Sequence, residues 1–235
     1  MENDSISGKP AGQTDASQGR RVAVAGATGL VGSQLLRLLL EDPSVAEVHA
    51  VGRHIPSLTH PKLVDHVVDF AAPLQLPPLD EIYLALGTTI KVAGSRAAFR
   101  AVDFRASIAV ARAAATAGAK RCGLVSAMGA QARSGIIYNR VKGELEDALA
   151  TLPFEALVIV RPSLLTGNRA SLGQPARRAE RFGQILSPFL WILLPANWSP
   201  VPAASVARAL ARRVPEAHGR EVLLSGKIRE IGSEG

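Results

Sequence analysis

The segment Val22-Ala23-Val24-Ala25-Gly26-Ala27-Thr28-Gly29-Leu30-Val31-Gly32 decides the fold. Its first four residues are small and apolar, as in a strand that is buried on both faces, and from Leu30 to Leu40 the apolar spacing becomes helical. The glycines between strand and helix suit a tight turn that lets the backbone approach a bound group. The helix then offers free N–H groups and the positive end of its dipole to a phosphate.

The glycine spacing is GxxGxxG rather than the GxGxxG of the commonest dinucleotide fingerprint. Because the motif follows a strand and precedes a helix, we expect it to bind a dinucleotide. The alternative is a glycine-rich turn without a ligand. The residues expected to contact the cofactor here are Gly26, Thr28, Gly29, Leu30, Val31 and Gly32.

Short apolar runs alternate with longer amphipathic runs along the rest of the chain. They predict strands at 47–51, 63–70, 82–86, 123–125, 156–160 and 221–224, and helices at 95–117, 138–149 and 203–213. Strands separated by helix-length segments are typical of βαβ units. We therefore expect an α/β, Rossmann-like fold, with a doubly wound parallel sheet, helices on both faces and ligands at the carboxyl ends of the strands. Residues 20–235 would form this single domain, with 165–200 as a substrate-side or lid insertion.

Composition limits the class of protein. The chain has 235 residues, of which 47% are hydrophobic and 20% charged, so it is long enough to bury a substantial core. No apolar run approaches the roughly 20 residues of a membrane-spanning helix. The single cysteine, Cys122, excludes a disulfide scaffold and fits a reducing compartment. Residues 1–19 are polar and lack the apolar core of a secretory signal, so we expect a disordered leader and a cytoplasmic protein.

The exits of three predicted strands suggest how a dinucleotide would be recognised. Arg53 follows the second strand, where an NAD-specific site usually has an acidic residue, and its guanidinium suits a 2′-phosphate; NADP(H) is therefore favoured over NAD(H). Asp69 and Phe70 end the third strand, where the carboxylate would accept from the adenine amino group or else start a turn. The chain leaves the fourth strand as Leu86-Gly87-Thr88. This exit would let the chain pass beneath the nicotinamide side of a bound dinucleotide, unless it is an ordinary turn.

Tyr138 and Lys142 open a predicted helix after the fifth strand. Residues i and i+4 share one face of a helix, so the phenol and the ammonium point the same way. A neighbouring ammonium favours the phenolate, so the pair suits proton exchange with an alcohol or a carbonyl. The alternative is a half-buried tyrosine beside a solvated lysine.

These motifs, together with Arg161-Pro162-Ser163 at the end of the sixth strand, resemble the short-chain dehydrogenase/reductase superfamily in its extended and atypical branches. More narrowly, residues 86–89, the region of Asp103, and residues 126–130 and 138–144 resemble the Tat-interactive oxidoreductase-like proteins and their bacterial relatives. The match covers about residues 20–170. It implies NADP(H) binding, Tyr138 as the acid/base, Lys142 on the ribose hydroxyls, and the backbone of Pro162, Ser163 and Leu164 near the nicotinamide carboxamide.

One departure from the superfamily pattern concerns the substrate hydroxyl. Ala127 stands where a catalytic serine or threonine often follows the fifth strand, and only Ser126 keeps a hydroxyl there. Ser126 either faces the cleft and takes the catalytic role or is a strand-end hydroxyl with a structural partner. Two functions therefore remain: an NADP(H)-dependent oxidoreductase for a small carbonyl or alcohol substrate, with Tyr138, Lys142 and Ser126 as catalytic candidates, or a non-catalytic NADP(H)-binding regulator.

The C-terminal part offers weaker signals. Its arginines form two basic stretches, at 177–181 and 208–213, which are either solvated helix faces or a site for an acidic ligand. Aromatic residues make up only 4% of the chain and follow no stacking pattern, which argues against nucleic acid as a partner. The apolar segment 182–194 is a candidate substrate lid, homodimer patch or membrane-surface contact, although burial against the domain is the commoner outcome. The five histidines show no metal-ligand spacing.

Overall fold

A computed structural model describes residues 19–167 and 199–233. Predictions made for 1–18, and for the basic and apolar stretches between 168 and 198, lie outside these residues. The strands are β1 (Arg20–Ala25), β2 (Val45–Gly52), β3 (Leu63–Val67), β4 (Glu81–Leu84), β5 (Arg121–Val125), β6 (Ala156–Arg161), β7 (Leu165–Thr166), β8 (Val201–Pro202) and β9 (Gly219–Leu224). The helices are α1 (Leu30–Glu41), α2 (Ile90–Ala93), α3 (Arg96–Arg100), a π-helical segment (Ala101–Ala106), α4 (Ser107–Thr116), α5 (Ile137–Leu149), α6 (Ala203–Glu216) and α7 (Ser225–Ser233).

Seven of these strands form one parallel sheet in the order β3-β2-β1-β4-β5-β6-β9, and β7 and β8 pair separately. The order changes direction at β1 and β4, so the loops that follow these two strands diverge and leave a crevice at their carboxyl ends. The expected Rossmann-like, doubly wound sheet is confirmed.

The sheet separates two apolar layers. Alternate residues of β1 point to opposite faces, so Val22 and Val24 join the layer formed with α1 and α6, while Ala23 and Ala25 join the layer formed with α4 and α5. Because both faces are covered, residues Val22–Ala25 of β1 and Ala156–Val160 of β6 are continuous apolar runs rather than alternating ones.

The observed elements differ from the predicted ones at several ends. The helix predicted at 95–117 is interrupted by the π-helical segment, and α7 was not predicted. The third strand stops at Val67 rather than at residue 70, because Asp69 starts a turn: its Oδ1 accepts from the Ala71 N–H at 2.9 Å. The fourth strand stops at Leu84 rather than at residue 86.

Within residues 19–167 and 199–233, the longest helices are too short and too polar to cross a membrane.

Candidate dinucleotide-binding site

The glycine turn between β1 and α1 is built so that only glycine fits. Gly26 has a φ of +87°, and a Cβ there would lie 2.8 Å from the Ala85 carbonyl oxygen of the neighbouring strand exit. A Cβ on Gly32 would lie 2.1 Å from the Gly26 carbonyl oxygen. Gly29 precedes the first turn of α1, and among the described residues no side chain caps that helix start and no acidic residue lies in its first turn. The backbone N–H groups in the first turn of α1 are therefore available to an anion.

A cavity of about 900 Å³ opens above this turn at the carboxyl ends of the strands. Its volume lies within the range of small-molecule and cofactor sites. Of the residues predicted to bind cofactor or substrate, it is lined by Gly26, Thr28, Gly29, Leu30, Val31, Arg53, Asp69, Phe70, Leu86, Gly87, Thr88, Ser126, Tyr138 and Lys142. The structure thus brings residues that are more than 100 positions apart into one site.

Four predicted residues do not line the cavity. Gly32 packs beneath Gly26 instead, where it sets how close α1 comes to the turn. Pro162, Ser163 and Leu164 use their backbone within the fold: the Pro162 carbonyl accepts from Met128 N, the Ser163 N–H donates to Ser225 Oγ, and the Leu164 carbonyl accepts from Val201 N. Their contact with a nicotinamide stays a prediction.

Tyr138 and Lys142 lie on the cavity face of α5, as their spacing predicts. The ring of Tyr138 stacks on buried Phe99 of α3, with ring centroids 5.5 Å apart, which fixes the direction of the phenol. Lys142 is 4% exposed. Burial by itself lowers its pKa, but the attraction of Asp103, followed by those of Tyr138 and Glu146, outweighs burial, and the pKa is raised above its ordinary value. Lys142 is therefore an ammonium at neutral pH.

Asp103 is a site residue that the sequence analysis did not assign a role. It lies in the π-helical segment, lines the cavity and is fully buried, and its Oδ1 lies 2.8 Å from Lys142 Nζ. Its Oδ2 accepts from the Thr88 N–H at 2.8 Å. The available signal was that Asp103 is the one acidic residue in the Ala-rich helix predicted at 95–117, since a buried carboxylate needs a partner.

Ser126 faces a structural partner. Its hydroxyl donates to Glu146 of α5, which is 1% exposed and also forms an ion pair with Arg161 of β6. Arg220 Nη2 lies 3.5 Å from the same carboxylate. Ser126 also lines the cavity, but its proton is committed to Glu146, and the neighbouring Ala127 has no hydroxyl.

The far end of the cavity is formed by the exits of β2 and β3. Arg53 is exposed there beside His54, and Asp69 and Phe70 lie opposite on the next loop. Asp69 starts the turn that was one alternative for it, and it also lines the cavity; its contact with an adenine stays a prediction. His54 and Arg105 also line the cavity and were not predicted.

The described arginines of the second basic stretch have intramolecular partners. Arg208 and Arg212 donate to the carbonyls of Gly232 and Ile231 at the end of α7, and Arg213 forms an ion pair with Glu221. Arg208 and Arg212 therefore hold α7 against α6, and Arg213 joins α6 to β9, rather than form an acidic-ligand site. In the described ranges, acidic, histidine and cysteine side chains do not cluster in a way that would hold a metal ion.

The chain is similar to one family model and to several solved structures. The family model described as "Semialdehyde dehydrogenase, NAD binding domain" matches residues 21–133. Among solved structures, WbmH of Bordetella bronchiseptica in complex with NAD+ has a TM-score of 0.67 and 18% identity over 92% of this chain and 80% of that one. MoeE5 in complex with UDP-glucose and NAD has a TM-score of 0.64 and 15% identity over 90% of this chain and 79% of that one. These neighbours confirm the fold that the superfamily resemblance implies.

Curated relatives are closer in sequence. Protein fmp52, mitochondrial, of Aspergillus fumigatus is 40% identical over 171 residues, which cover 68% of this chain and 73% of that protein. Protein FMP52, mitochondrial, of Coccidioides immitis is 34% identical over 207 residues, which cover 80% and 82%. The narrower resemblance to Tat-interactive proteins is not confirmed by these matches.

The relatives' names also contradict the expected cytoplasmic location, since they are mitochondrial proteins. The expectation was wrong because a low cysteine count excludes only oxidising compartments and does not separate the reducing ones from each other. At this level of identity and coverage, the chain belongs to the FMP52 family.

Proposed function

We propose that the protein is an NADP(H)-dependent oxidoreductase that interconverts a carbonyl and an alcohol on a small molecule. The proposal rests on one observation: a single cavity holds an uncapped helix start, a basic residue at one end and a Tyr-Lys pair at the other. The matched NAD-binding family model, and the NAD complexes of WbmH and MoeE5, support a pyridine dinucleotide as the ligand.

The residues that line the cavity fit a pyridine dinucleotide. Its diphosphate would lie on the first N–H groups of α1, where Gly26 and Gly29 leave the backbone bare and a Cβ at Gly26 would displace the neighbouring strand exit. Thr28, Leu30 and Val31 complete this cradle.

Arg53 supports NADP(H) over NAD(H). The chain leaves β2 as Val51-Gly52-Arg53-His54, without the acidic residue that usually accepts from ribose hydroxyls. The exposed guanidinium lines the cavity and would form charge-assisted hydrogen bonds to a 2′-phosphate. Asp69 and Phe70 face the same end and suit the adenine.

Tyr138 is the proposed acid/base. Phe99 holds its ring in place, so the phenol exchanges a proton with the substrate oxygen at a fixed position. The bound nicotinamide would supply or accept the hydride. Lys142, charged and buried, would hold the ribose hydroxyls.

A specific observation favours a second function, that of a non-catalytic NADP(H)-binding regulator. The Ser126 hydroxyl is bonded to Glu146, and Ala127 replaces the usual donor, so the site lacks a free serine for the substrate oxygen at these two positions. By analogy with a lost oxyanion-hole donor, this weakens transition-state stabilisation by about 2.7–4 kcal/mol.

Turnover separates the two functions. The protein is mixed with NADPH and a panel of aldehydes and ketones, and the nicotinamide absorbance is followed. We expect oxidation of NADPH by at least one member of the panel and its loss in Tyr138→Phe. Tyr83→Phe is the matched control, because Tyr83 is buried in the sheet outside the cavity. Activity that survives Tyr138→Phe removes Tyr138 from the mechanism, and tight NADPH binding without turnover favours the regulator.

Cofactor choice is tested by calorimetric titration of Arg53→Ala with NADPH and with NADH. The loss of a charge-assisted contact, worth about 1.5–3 kcal/mol, is expected to weaken NADPH binding by about 10- to 150-fold and NADH binding by less than about twofold. Arg37→Ala, which removes an exposed arginine of α1 outside the cavity, should change neither. Equal losses for both nucleotides would show that Arg53 does not read the 2′-phosphate.

A further inference from the structure

Asp103 is a fully buried carboxylate at the centre of the candidate site. It lies in the π-helical segment Ala101–Ala106 between α3 and α4. A π turn inserts one extra residue into a helix, which rotates the side chains before it by roughly 100° relative to those after it. The segment therefore lets Asp103 face the cavity while Ile108 and Val110 of α4 remain in the core.

One oxygen of Asp103 holds the lysine ammonium. Oδ1 lies 2.8 Å from Lys142 Nζ, and the Val125 carbonyl oxygen lies 3.5 Å from the same nitrogen. An ammonium has three N–H donors, so two are directed into the protein. The third is left for the cavity that Lys142 lines.

The other oxygen of Asp103 ties this ion pair to the loop that follows β4. Oδ2 accepts from the Thr88 N–H at 2.8 Å. Gly87 lies directly over the pair, since a Cβ there would be 3.6 Å from Asp103 Oδ1 and 3.9 Å from Lys142 Nζ. One carboxylate thus sets the position of both the loop and the lysine, two parts of the cavity wall that come from different elements.

The charges around Lys142 come from two directions. Asp103 faces it from the π-helical segment, and Tyr138 and Glu146 face it from α5 itself. Glu146 is neutralised by Arg161 of β6, with Arg220 of β9 nearby, so its effect is partly cancelled. Asp103 has no cationic partner in the described residues other than Lys142, so its negative charge is the main one that stabilises the Lys142 ammonium.

We infer that Asp103 is a positioning residue that fixes the Lys142 ammonium, keeps it protonated in its buried position and aligns it with the loop after β4. Its importance for catalysis rests on the proposed function. Because the carboxylate opposes the field of the ammonium, Lys142 acts on the cavity chiefly as an aimed hydrogen-bond donor. This differs from the charge effect on Tyr138 that the sequence pattern suggests.

The test measures the lysine proton itself in the ligand-free protein. Lysine Cε carbons are labelled with carbon-13 and followed by NMR as the pH rises; the chain has six lysines, and the Lys142 signal is assigned by its loss in Lys142→Arg. In the native protein the Lys142 midpoint is expected above those of the exposed lysines. In Asp103→Asn it is expected to fall below them, because burial then outweighs the remaining attraction of Tyr138 and Glu146. Glu144→Gln, which removes a carboxylate of α5 paired with Arg100, should leave it unchanged. An unchanged midpoint in Asp103→Asn overturns the inference.

A second variant keeps the inference testable if Asp103→Asn fails to fold. If Asp103→Asn does not fold, the double variant Asp103→Asn/Lys142→Gln should restore folding, because the cost lies in an unpaired buried ammonium. A double variant no more stable than the single one would show that the two residues do not act as a pair.

Activity then separates this inference from the proposed function. With NADPH and the carbonyl panel, Asp103→Asn is expected to lose activity at lower pH than the native protein, while Glu144→Gln keeps the native pH profile. A shifted lysine midpoint without turnover in the native protein upholds the role of Asp103 and contradicts the oxidoreductase. Turnover with an unshifted midpoint upholds the oxidoreductase and contradicts this role.

Discussion

Gly32→Ala tests the cofactor cradle without removing any functional group. A Cβ at this position would lie 2.1 Å from the Gly26 carbonyl oxygen and 2.8 Å from its carbonyl carbon, both backbone atoms that no rotamer change can move. To reach the 3.4 Å of an ordinary contact, α1 must shift by about 1.3 Å away from the turn. Overpacking of this kind costs about 1–3 kcal/mol, and the better helix propensity of alanine returns about 1 kcal/mol.

The effect on binding should exceed the effect on stability. A shift of 1.3 Å takes a 2.9 Å hydrogen bond, such as that from Gly29 N to Gly26 O, out of bonding range, and the same holds for the N–H groups offered to a phosphate. The loss of one or two such charge-assisted bonds, about 2–3 kcal/mol in total, weakens NADPH binding by about 30- to 150-fold. The unfolding free energy should fall by no more than about 2 kcal/mol.

Calorimetric titration with NADPH and urea unfolding measure the two effects, and two other glycines supply controls. At Gly232 a Cβ would lie 2.7 Å from Ser205 Cα, so Gly232→Ala strains the contact between α6 and α7 far from the cavity; it should lower stability and leave NADPH affinity unchanged. Gly135 has open space around its Cβ position, so Gly135→Ala should change neither quantity. NADPH affinity within twofold of the native value in Gly32→Ala would refute the proposed cradle.

Three further predictions concern buried groups outside the cavity. Tyr83 donates to the buried carboxylate of Glu81 at 2.7 Å, so Tyr83→Phe should lower the unfolding free energy by about 1–3 kcal/mol in urea; an unchanged midpoint would show that the bond adds nothing. Burial raises the pKa of the Cys122 thiol, so a disulfide reagent should label it only at the rate of global unfolding, and rapid labelling of the native protein would contradict that. Burial, and then the neighbouring His66, lower the pKa of His49 below its ordinary 6.5. The unfolded chain therefore binds the proton more tightly, and this contribution to stability is present above pH 6.5 and is lost as the pH falls. Urea midpoints should drop between pH 7.5 and 5.5, and less so in His49→Gln; equal drops in both proteins would assign the effect elsewhere.

The main layout of the fold follows from local patterns, since burial of a parallel sheet on both faces requires apolar strands. That requirement makes Val22–Ala25 and Ala156–Val160 easy to recognise. The ends of the elements depend on single contacts instead. Asp69 stops β3 with a turn bond, and the Thr88 N–H is held by Asp103, which is distant in sequence. The helix α7 contains two glycines and weak apolar spacing, and it forms because Ile228 and Ile231 pack on the core.

The candidate site was predictable where one motif carries both the geometry and the chemistry. The Tyr138–Lys142 spacing places both side chains on the cavity face, as expected. The partner of Ser126 was not predictable, because Glu146 lies 20 residues away and reaches it only through the packing of α5 on β5. Asp103 was missed for a similar reason, since the π-helical segment that turns it towards Lys142 has no signature in residue spacing.

The contact between α1 and α6 has a consequence for synthesis of the protein. Leu35, Leu36 and Leu39 form an apolar stripe on α1. Helix α6, which begins at residue 203, covers part of this stripe. A nascent chain therefore carries this stripe for more than 160 residues of translation before its cover leaves the ribosome. Pairings over such distances form slowly and leave apolar surface open to aggregation in the meantime. We therefore expect a chain that ends before α6 to expose the apolar face of α1 and to aggregate.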